Sequence, residues 1–221
     1  MDIVVTADGS RTLYHAAVGE NYHSKHGAEQ ESKHVFLKSG LQFFLTKDKV
    51  SKAAILEVGF GTGLNFILTA EYCMAHNIQL DYCGIEAYPL PLETISQLQY
   101  SDLVPENIGL DFQNAYPKAL LQETVVNHNI QLQVAHTLVM DFNSSKQFDV
   151  IYFDAFAAVH QPEMWSEETL THVTKFLKPG GVFVTYAITG NLKRAMKALG
   201  FTIEKAPGAP GKREMLRAIK L

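Results

Sequence analysis

The sequence predicts an α/β protein built on a doubly wound, mostly parallel sheet. Three observations lead to this prediction. From Ala53 onward, apolar stretches typical of buried strands alternate with stretches of helical pattern. The first strand, residues 53–58, runs directly into three glycines at alternate positions. Acidic residues stand at or just beyond the ends of four strands. Parallel strands need crossover connections, so this alternation places helices on both faces of one sheet.

Length and composition fit one globular domain with a short extension. The chain has 221 residues, of which 47% are hydrophobic and 19% charged. We predict an N-terminal extension, residues 1–45, that packs on or caps the active site, and a main domain over residues 46–221. No apolar run reaches the roughly 18 residues of a membrane span, and the N-terminus lacks the features of a signal peptide. Cysteine is limited to Cys73 and Cys83, too few for a disulfide framework, so a cytoplasmic location is expected.

Eight stretches have the apolar, β-branched or aromatic composition of strands. They are residues 12–14, 53–58, 80–86, 130–135, 148–154, 182–187, 201–205 and 214–220. The first follows a turn at Asp8-Gly9-Ser10, and the other seven form the main sheet. The last two are separated only by the Pro/Gly-rich loop 207–211, without a crossover helix. They are therefore predicted to pair antiparallel.

Six stretches are predicted to be helical: residues 34–45, 64–75, 89–99, 116–128, 166–177 and 192–199. Local signals support several helix ends. Pro89 stands near the start of its helix, where a missing N–H is tolerated. Ser166 is a good N-cap followed by two acids, and Gly200 suits the end of the last helix. The connection Lys178-Pro179-Gly180-Gly181 is predicted to be a turn.

The segment Glu57-Val58-Gly59-Phe60-Gly61-Thr62-Gly63 indicates the cofactor. Glycines are needed where the backbone adopts conformations closed to other residues and approaches a ligand closely. A carboxylate at position 57 suits an ammonium or a ribose hydroxyl and repels a pyrophosphate. The spacing also differs from the Gly-x-Gly-x-x-Gly of NAD-binding proteins. The sequence therefore favours S-adenosylmethionine (SAM) over NAD, and predicts the Rossmann-like, seven-stranded sheet of a class I SAM-dependent methyltransferase.

Four acids at successive strand ends are candidates for ligand contacts, because ligands of such sheets sit outside the carboxyl ends of the strands. Glu86 is placed to accept hydrogen bonds from the ribose hydroxyls, and Asp141 to bond the adenine amino group. Glu57 could favour the methionine ammonium. Asn65, at the start of the first helix after the glycines, could reach the carboxylate end of the cofactor with help from backbone amides.

Asp154 is the catalytic candidate. It closes the fourth strand of the main sheet, the position nearest the sulfonium methyl in this architecture. Methyl transfer requires an aligned nucleophile with a free lone pair. An amine is largely protonated at neutral pH, and a nearby carboxylate can hold it and accept its proton. Asp154 therefore suggests an N-methyltransferase that acts on an amine.

Charge is distributed unevenly. The net charge is −4, but residues 193–221 carry eight basic and two acidic residues, so this segment is at +6 and the rest at −10. Such asymmetry suggests a basic patch that faces a polyanion, with solvated surfaces as the alternative. The nine histidines show no metal-binding spacing, and no metal is expected.

Four segments together resemble one known family. Residues 154–165 resemble the Asp-Gly-Phe-Ala-Pro-x-x-Asn-Pro-x-Met-Trp signature of the methyltransferase domain of the MnmC family, with Ala155, Ala158 and Gln161 in place of its glycine, proline and asparagine. Residues 56–66 are similar to its cofactor loop. The other two segments are Lys212-Arg213-Glu214-Met215, similar to its Lys-Arg-Glu-Met end, and Glu29, Glu31 and Ser32 ahead of His34-Val35-Phe36.

The resemblance implies methylation of the aminomethyl group of 5-aminomethyl-2-thiouridine at the wobble position of tRNA. Asp154 would position and deprotonate that amine, and Phe156 and Trp165 would shape the pocket, where an aromatic ring could stack on the uracil. The anticodon stem-loop of tRNA would be the partner, with its phosphates met by Lys193, Arg194, Lys212 and Arg213.

Other functions stay open. Bifunctional members of this family carry a C-terminal FAD-dependent oxidase domain, so the chain looks like a stand-alone form, expected to lack the carboxymethyl-removing activity. The main alternative is a SAM-dependent transferase acting on a small-molecule amine. A non-catalytic cofactor-binding protein and an NAD-dependent enzyme are the remaining alternatives.

Overall fold

The computed structural model describes residues 1–47 and 50–221, which form two sheets flanked by helices. The strands are β1 Asp2–Val5, β2 Arg11–His15, β3 Glu20–Asn21, β4 Lys52–Val58, β5 Gln79–Glu86, β6 Thr124–Asn127, β7 Ile130–His136, β8 Phe148–Phe153, β9 Leu177–Thr185, β10 Phe201–Pro207 and β11 Glu214–Lys220.

The helices lie before, between and after these strands. They are α1 Ala28–Glu31, α2 Phe43–Lys47, α3 Leu64–Ala75, α4 Leu92–Ser96, α5 Glu106–Ala119, α6 Glu167–Thr174 and α7 Gly190–Ala198. A π-helical stretch, Ser32–Gln42, joins α1 to α2, and short 3₁₀ turns occupy Tyr100–Leu103, Val139–Asp141 and Pro162–Trp165.

The main sheet has the strand order β10-β11-β9-β8-β4-β5-β7-β6. Strands β4, β5, β7, β8 and β9 run parallel, whereas β11 is antiparallel to both β9 and β10. The predicted doubly wound sheet with a terminal antiparallel pair is therefore confirmed. The sheet has eight strands where seven were predicted, and the additional strand is β6 at the far edge.

The helix predicted over residues 116–128 is wrong. The helix α5 ends at Ala119, and Thr124–Asn127 forms the edge strand β6, antiparallel to β7. Its centre is the β-branched Thr124-Val125-Val126, which suits a strand more than a helix. The Asn127 side chain closes the connection to β7 by accepting a hydrogen bond from the Asn129 backbone N–H at 3.1 Å. This contact makes a hairpin out of the predicted end of a helix.

Two further boundaries differ from the prediction. The helix predicted over residues 89–99 is reduced to α4, whose N-cap is Pro91, and a left-handed Gln99 (φ +55°) then redirects the chain. The turn predicted at Lys178–Gly181 lies within β9. There Gly180 has φ +75°, and the pairing of β9 with β8 shifts register. Proline and glycine interrupt these elements locally without ending the strand.

The core has one apolar layer on each face of the main sheet, and β4 shows how the sequence builds both. Ile55 belongs to the layer that includes α3 and α5, whereas Leu56 and Val58 belong to the layer that includes α6 and α7. Because side chains alternate along a strand, Glu57 points to the same face as Ile55. This acid is consequently buried inside the protein, with 0% of its surface exposed.

The N-terminal residues form a separate three-stranded antiparallel sheet, β1-β2-β3. It is followed by the helical run of residues 28–47, which packs against α3 and β9. Within the described residues, no helix is long and apolar enough to cross a bilayer. The same residues contain no cluster of three or more His, Cys, Asp or Glu side chains arranged to hold a metal ion.

Candidate active site

A cavity of about 800 Å³ lies at the carboxyl ends of the parallel strands. Its walls come from the turn after β4, from the residues that follow β5, β7 and β8, and from N-terminal residues between 14 and 31. Its size is in the range of small-molecule sites. The position is the one expected of a ligand site in an open α/β sheet.

The glycine turn after β4 forms the floor of this cavity. Gly59 has φ +85°, and a Cβ there would lie 2.5 Å from the carbonyl oxygen of Asp154. Gly61 has φ +52°, and its Cβ would meet the ring of Tyr22 at 3.0 Å. Gly63 has φ +79° and is the N-cap of α3. The backbone requirement predicted for glycine is confirmed, since any side chain at position 59 would displace Asp154.

Glu86 ties the glycine turn to the loop after β5. Its two carboxylate oxygens accept hydrogen bonds from the backbone N–H groups of Gly61 at 2.8 Å and Tyr88 at 2.9 Å. The side chain also lines the cavity. Each oxygen keeps a lone pair, so this carboxylate can accept further bonds from ligand hydroxyl groups.

Asp141 lies outside the cavity wall. It ends the 3₁₀ turn that follows β7 and is exposed to solvent. The wall is formed here by residues 137–140 instead. Its predicted contact with an adenine amino group stays a prediction.

A buried hydrogen-bond network lies beneath the glycine turn. Asn65 donates one amide N–H to Glu57 Oε1 at 2.7 Å and the other to Asp154 Oδ2 at 2.8 Å. The Tyr82 hydroxyl donates to Glu57 Oε2 at 2.8 Å, and the Ser32 hydroxyl donates to Asn65 Oδ1. Asp154 and Asn65 line the cavity, whereas Glu57 lies behind Asn65.

This network bears on two predicted cofactor contacts. Asn65 has no N–H left to donate to a ligand carboxylate, since both are used by carboxyl groups of the protein. Glu57 can influence a ligand ammonium only through Asn65 or through its charge. Burial is the main reason that the pKa of Glu57 lies well above its ordinary value, and the Asn65 hydrogen bond opposes that rise.

The electrostatics of Asp154 suit proton transfer near neutral pH. Burial, followed by the negative charge of Glu31, raises its pKa from 3.8 to about 8. The Asn65 hydrogen bond and the positive charge of Lys212 act in the opposite direction, while Glu20 adds to the rise. A carboxyl group with such a pKa can hold or accept a proton under physiological conditions.

Aromatic side chains surround the space in front of Asp154. Phe156 lines the cavity and meets the rings of Tyr22 and His15 edge-on, with centroids 5.1 and 6.0 Å away. Trp165 stands behind it, where its Nε1–H donates to the Phe156 carbonyl at 2.8 Å and its ring packs on Tyr186. Of the two predicted pocket residues, Phe156 reaches the cavity and Trp165 supports the loop that carries it.

The N-terminal residues add acids to the cavity that the sequence did not single out as site residues. Glu20 accepts a hydrogen bond from the Ala157 N–H at 3.0 Å, which ties β3 to the loop after Asp154. Glu31 accepts one from the Ser24 N–H and forms an ion pair with Lys212 at 2.8 Å. A signal existed for Glu31, because it lies in a segment that resembles the MnmC family; Glu20 stands in a stretch without periodicity.

The four predicted basic contacts are divided by the structure. Lys212 turns into the cavity wall, where its ammonium pairs with Glu31 and lies 3.9 Å from the ring centroid of Tyr186. Arg213 and Arg194 are exposed and Lys193 is partly exposed, and these three do not line the cavity. Within the described part of the chain, Lys193 and Arg213 form no ion pair.

Comparison with known proteins identifies the family of this chain. The model of a family described as S-adenosyl-L-methionine-dependent methyltransferases matches residues 106–221, more than half of the chain. The chain belongs to this family. Its cofactor is therefore SAM. The cavity fits SAM, since a hydroxyl-accepting carboxylate, Glu86, stands beside a glycine turn and further acids favour a cationic ligand.

Curated relatives of this methyltransferase include two proteins named tRNA 5-methylaminomethyl-2-thiouridine biosynthesis bifunctional protein MnmC. The protein of Magnetococcus marinus is 32% identical over 209 residues, which are 90% of this chain and 31% of the relative. That of Aromatoleum aromaticum is 28% identical over 97% of this chain and 34% of the relative. The chain thus spans about a third of the length of these relatives.

Solved structures support the fold. The crystal structure of MnmC2 from Aquifex aeolicus matches with a TM-score of 0.79 at 23% identity, covering 98% of this chain and 69% of that one. Streptomyces venezuelae DesVI matches with a TM-score of 0.52 at 12% identity, covering 87% of this chain and 92% of that one.

Proposed function

We propose that this methyltransferase transfers a methyl group to the aminomethyl nitrogen of a 5-aminomethyl-2-thiouridine at the wobble position of tRNA. The observation that carries this proposal is the position of Asp154. Its carboxylate faces an acid-lined cavity at the glycine turn, which suits a cationic amine. The names of the curated relatives supply the substrate class. A tRNA substrate also agrees with the expected cytoplasmic location.

In this proposal the backbone of Gly59, Gly61 and Gly63 would hold the cofactor at the glycine turn. Glu86 would accept hydrogen bonds from the ribose hydroxyls, and residues 137–140 would flank the adenine. Asn65 and Glu57 act from beneath through the buried network. Residues 1–45 cap the site, with Tyr22 above Gly61.

The chain's own residues prepare the amine for attack. When bound, SAM supplies a methyl group on a sulfonium, which an amine attacks with its lone pair. A protonated amine has no such lone pair, so Asp154 binds the ammonium and accepts one N–H proton at Oδ1, since Oδ2 is engaged by Asn65. Phe156 and Tyr22 pack against the pyrimidine ring and exclude water.

The test is transfer of a labelled methyl group from SAM to tRNA from cells that lack this protein, followed by nucleoside mass analysis. We expect a gain of one methyl on 5-aminomethyl-2-thiouridine, and a loss of at least a hundredfold in Asp154→Asn. Asp149→Asn is the matched control, since Asp149 stands in β8, the strand that Asp154 follows, but pairs with Lys178. Transfer to small amines and none to tRNA would reject the proposed substrate.

A further inference from the structure

Asn65 lies between two carboxyl groups, of which only one is proposed to contact the substrate. Asp154 faces the cavity, and Glu57 does not. The amide nitrogen of Asn65 donates to both, at 2.7 and 2.8 Å, and Asn65 is buried, with 3% of its surface exposed. Such an amide restricts both carboxyl groups, because each accepts a hydrogen bond in a fixed direction.

The orientation of this amide is itself fixed. An asparagine amide can turn over and exchange its oxygen with its nitrogen. In this site the Ser32 hydroxyl donates to Asn65 Oδ1 from the opposite side. A turned amide would direct its oxygen at two carboxyl groups and would take away the acceptor of the Ser32 hydroxyl proton. Ser32 is 1% exposed and belongs to the π-helical stretch, so the residue that holds the amide orientation lies outside the sheet.

We propose that Asn65 is a positioning residue for Asp154, and that Ser32 holds the Asn65 amide in the orientation that this role requires. The amide binds Oδ2 of Asp154 and leaves Oδ1 as the oxygen available to the substrate amine. Glu57, held in turn by Tyr82, anchors the other amide hydrogen. The inference deepens the proposed function and rests on Asp154 acting there as the base.

The charge environment shows what Asn65 contributes. The ionisable groups that act on or with Asp154 come from several elements: Glu20 from β3, Glu31 from α1, Glu57 from β4, Tyr186 after β9 and Lys212 before β11. The carboxyl groups among them disfavour ionisation of Asp154. Asn65 stabilises the ionised form by a hydrogen bond and adds no charge of its own. Its loss should make Asp154 harder to deprotonate.

The experiment follows the titration of Asp154 in the free protein by ¹³C NMR of the aspartate carboxyl carbons, assigned with Asp154→Asn. The variants are Asn65→Leu, which removes the amide, and Ser32→Ala, which removes only the hydroxyl that donates to Asn65 Oδ1. Ser39→Ala is the matched control, because Ser39 is a buried serine of the same π-helical stretch that donates to the His34 carbonyl. If Asn65→Leu does not fold, Ser32→Ala alone decides.

We expect the Asp154 titration to move to higher pH in Asn65→Leu, less in Ser32→Ala, and not in Ser39→Ala. The rising limb of the pH–rate profile should move in the same direction, with about tenfold lower activity at pH 7 for Asn65→Leu. An unchanged Asp154 titration in the folded variants overturns the inference. A moved titration with an unchanged limb supports positioning and rejects Asp154 as the base.

Discussion

Asp154 combines two properties that ordinarily oppose each other, burial and a need for charge. Removing a carboxylate from water disfavours its ionised form, and the nearby Glu31 adds to this effect. The Asn65 amide and the Lys212 ammonium limit the penalty, so the pKa settles at about 8. The result is a carboxyl group that changes protonation near neutral pH, as a group that exchanges a proton with an amine must do.

This raised pKa predicts a stability effect. The folded protein keeps a proton on Asp154 between pH 4 and 8, where the unfolded chain has released it, so the free energy of unfolding falls as pH rises through this range. Asp154→Asn abolishes the effect. The free energy of unfolding of this variant, taken relative to wild type, should therefore rise between pH 5 and pH 8. The rise should be on the order of 2 kcal/mol, a value reduced for solvent screening because the carboxylate opens onto the cavity. Urea unfolding of both proteins at pH 5 and pH 8 measures this difference in the free energy of unfolding. The same difference at both pH values would contradict the prediction.

Glu86 provides a prediction about cofactor binding. Glu86→Gln keeps the shape but loses the charge and one of two acceptor oxygens, so one backbone N–H, of Gly61 or Tyr88, loses its partner. We expect SAM to bind about tenfold more weakly in titration calorimetry. Glu93→Gln, at an exposed position of α4, is the control. Equal affinities in the two variants would remove Glu86 from the cofactor site.

At the scale of elements, the short strand β3 is tied to the loop that follows β8. The Glu20 carboxylate accepts the Ala157 N–H across this junction. Glu20→Ala should release that amide and raise its hydrogen-exchange rate about fivefold to tenfold, the equivalent of one hydrogen bond. Glu20→Gln retains a carbonyl acceptor and should preserve protection. Equal protection in the two variants would show that this contact does not hold the loop.

Element prediction from sequence succeeded where tertiary contacts agree with local preference. Ser166 illustrates this agreement, since its hydroxyl accepts the Thr169 N–H at 3.1 Å and caps α6 as predicted. Failure occurred at residues 116–128, where the apolar pattern was compatible with a helix. Pairing with β7 selected the strand β6 for Thr124–Asn127. The secondary structure of a short β-branched stretch beside a helix end depends on whether a neighbouring strand is there to pair with it.

At the scale of the whole molecule, several basic side chains of residues 193–221 have partners within the folded protein. Arg217 pairs with Glu204 and Lys212 with Glu31, and Lys220 donates to two backbone carbonyls. Arg213 and Arg194 remain exposed. The uneven charge of the sequence is therefore partly structural, and fewer side chains remain for a polyanion than the sequence implies.

This division predicts the salt dependence of the proposed tRNA binding. Arg213→Met and Arg194→Met should each reduce the magnitude of the negative slope of log K against log salt by about 0.7 to 0.9, if each removes one of the proposed phosphate contacts. Lys212→Met should leave the slope unchanged, because its charge is already paired with Glu31. Filter binding between low and moderate salt measures the slopes. A slope of smaller magnitude in Lys212→Met, with unchanged slopes in the two arginine variants, would assign the phosphate contact to Lys212 instead.

The sequence by itself determined the sheet, the glycine turn and the position of Asp154, because strand patterns, glycine spacing and strand-end acids are local features. Tertiary structure alone decided that Asn65 binds two carboxyl groups, that Glu57 is buried and that Lys212 faces the cavity. It also decided that Glu20 and Tyr22, far along the chain from Asp154, share its cavity. The direction of a side chain and its partners depend on which distant segments pack together, and no local pattern encodes that.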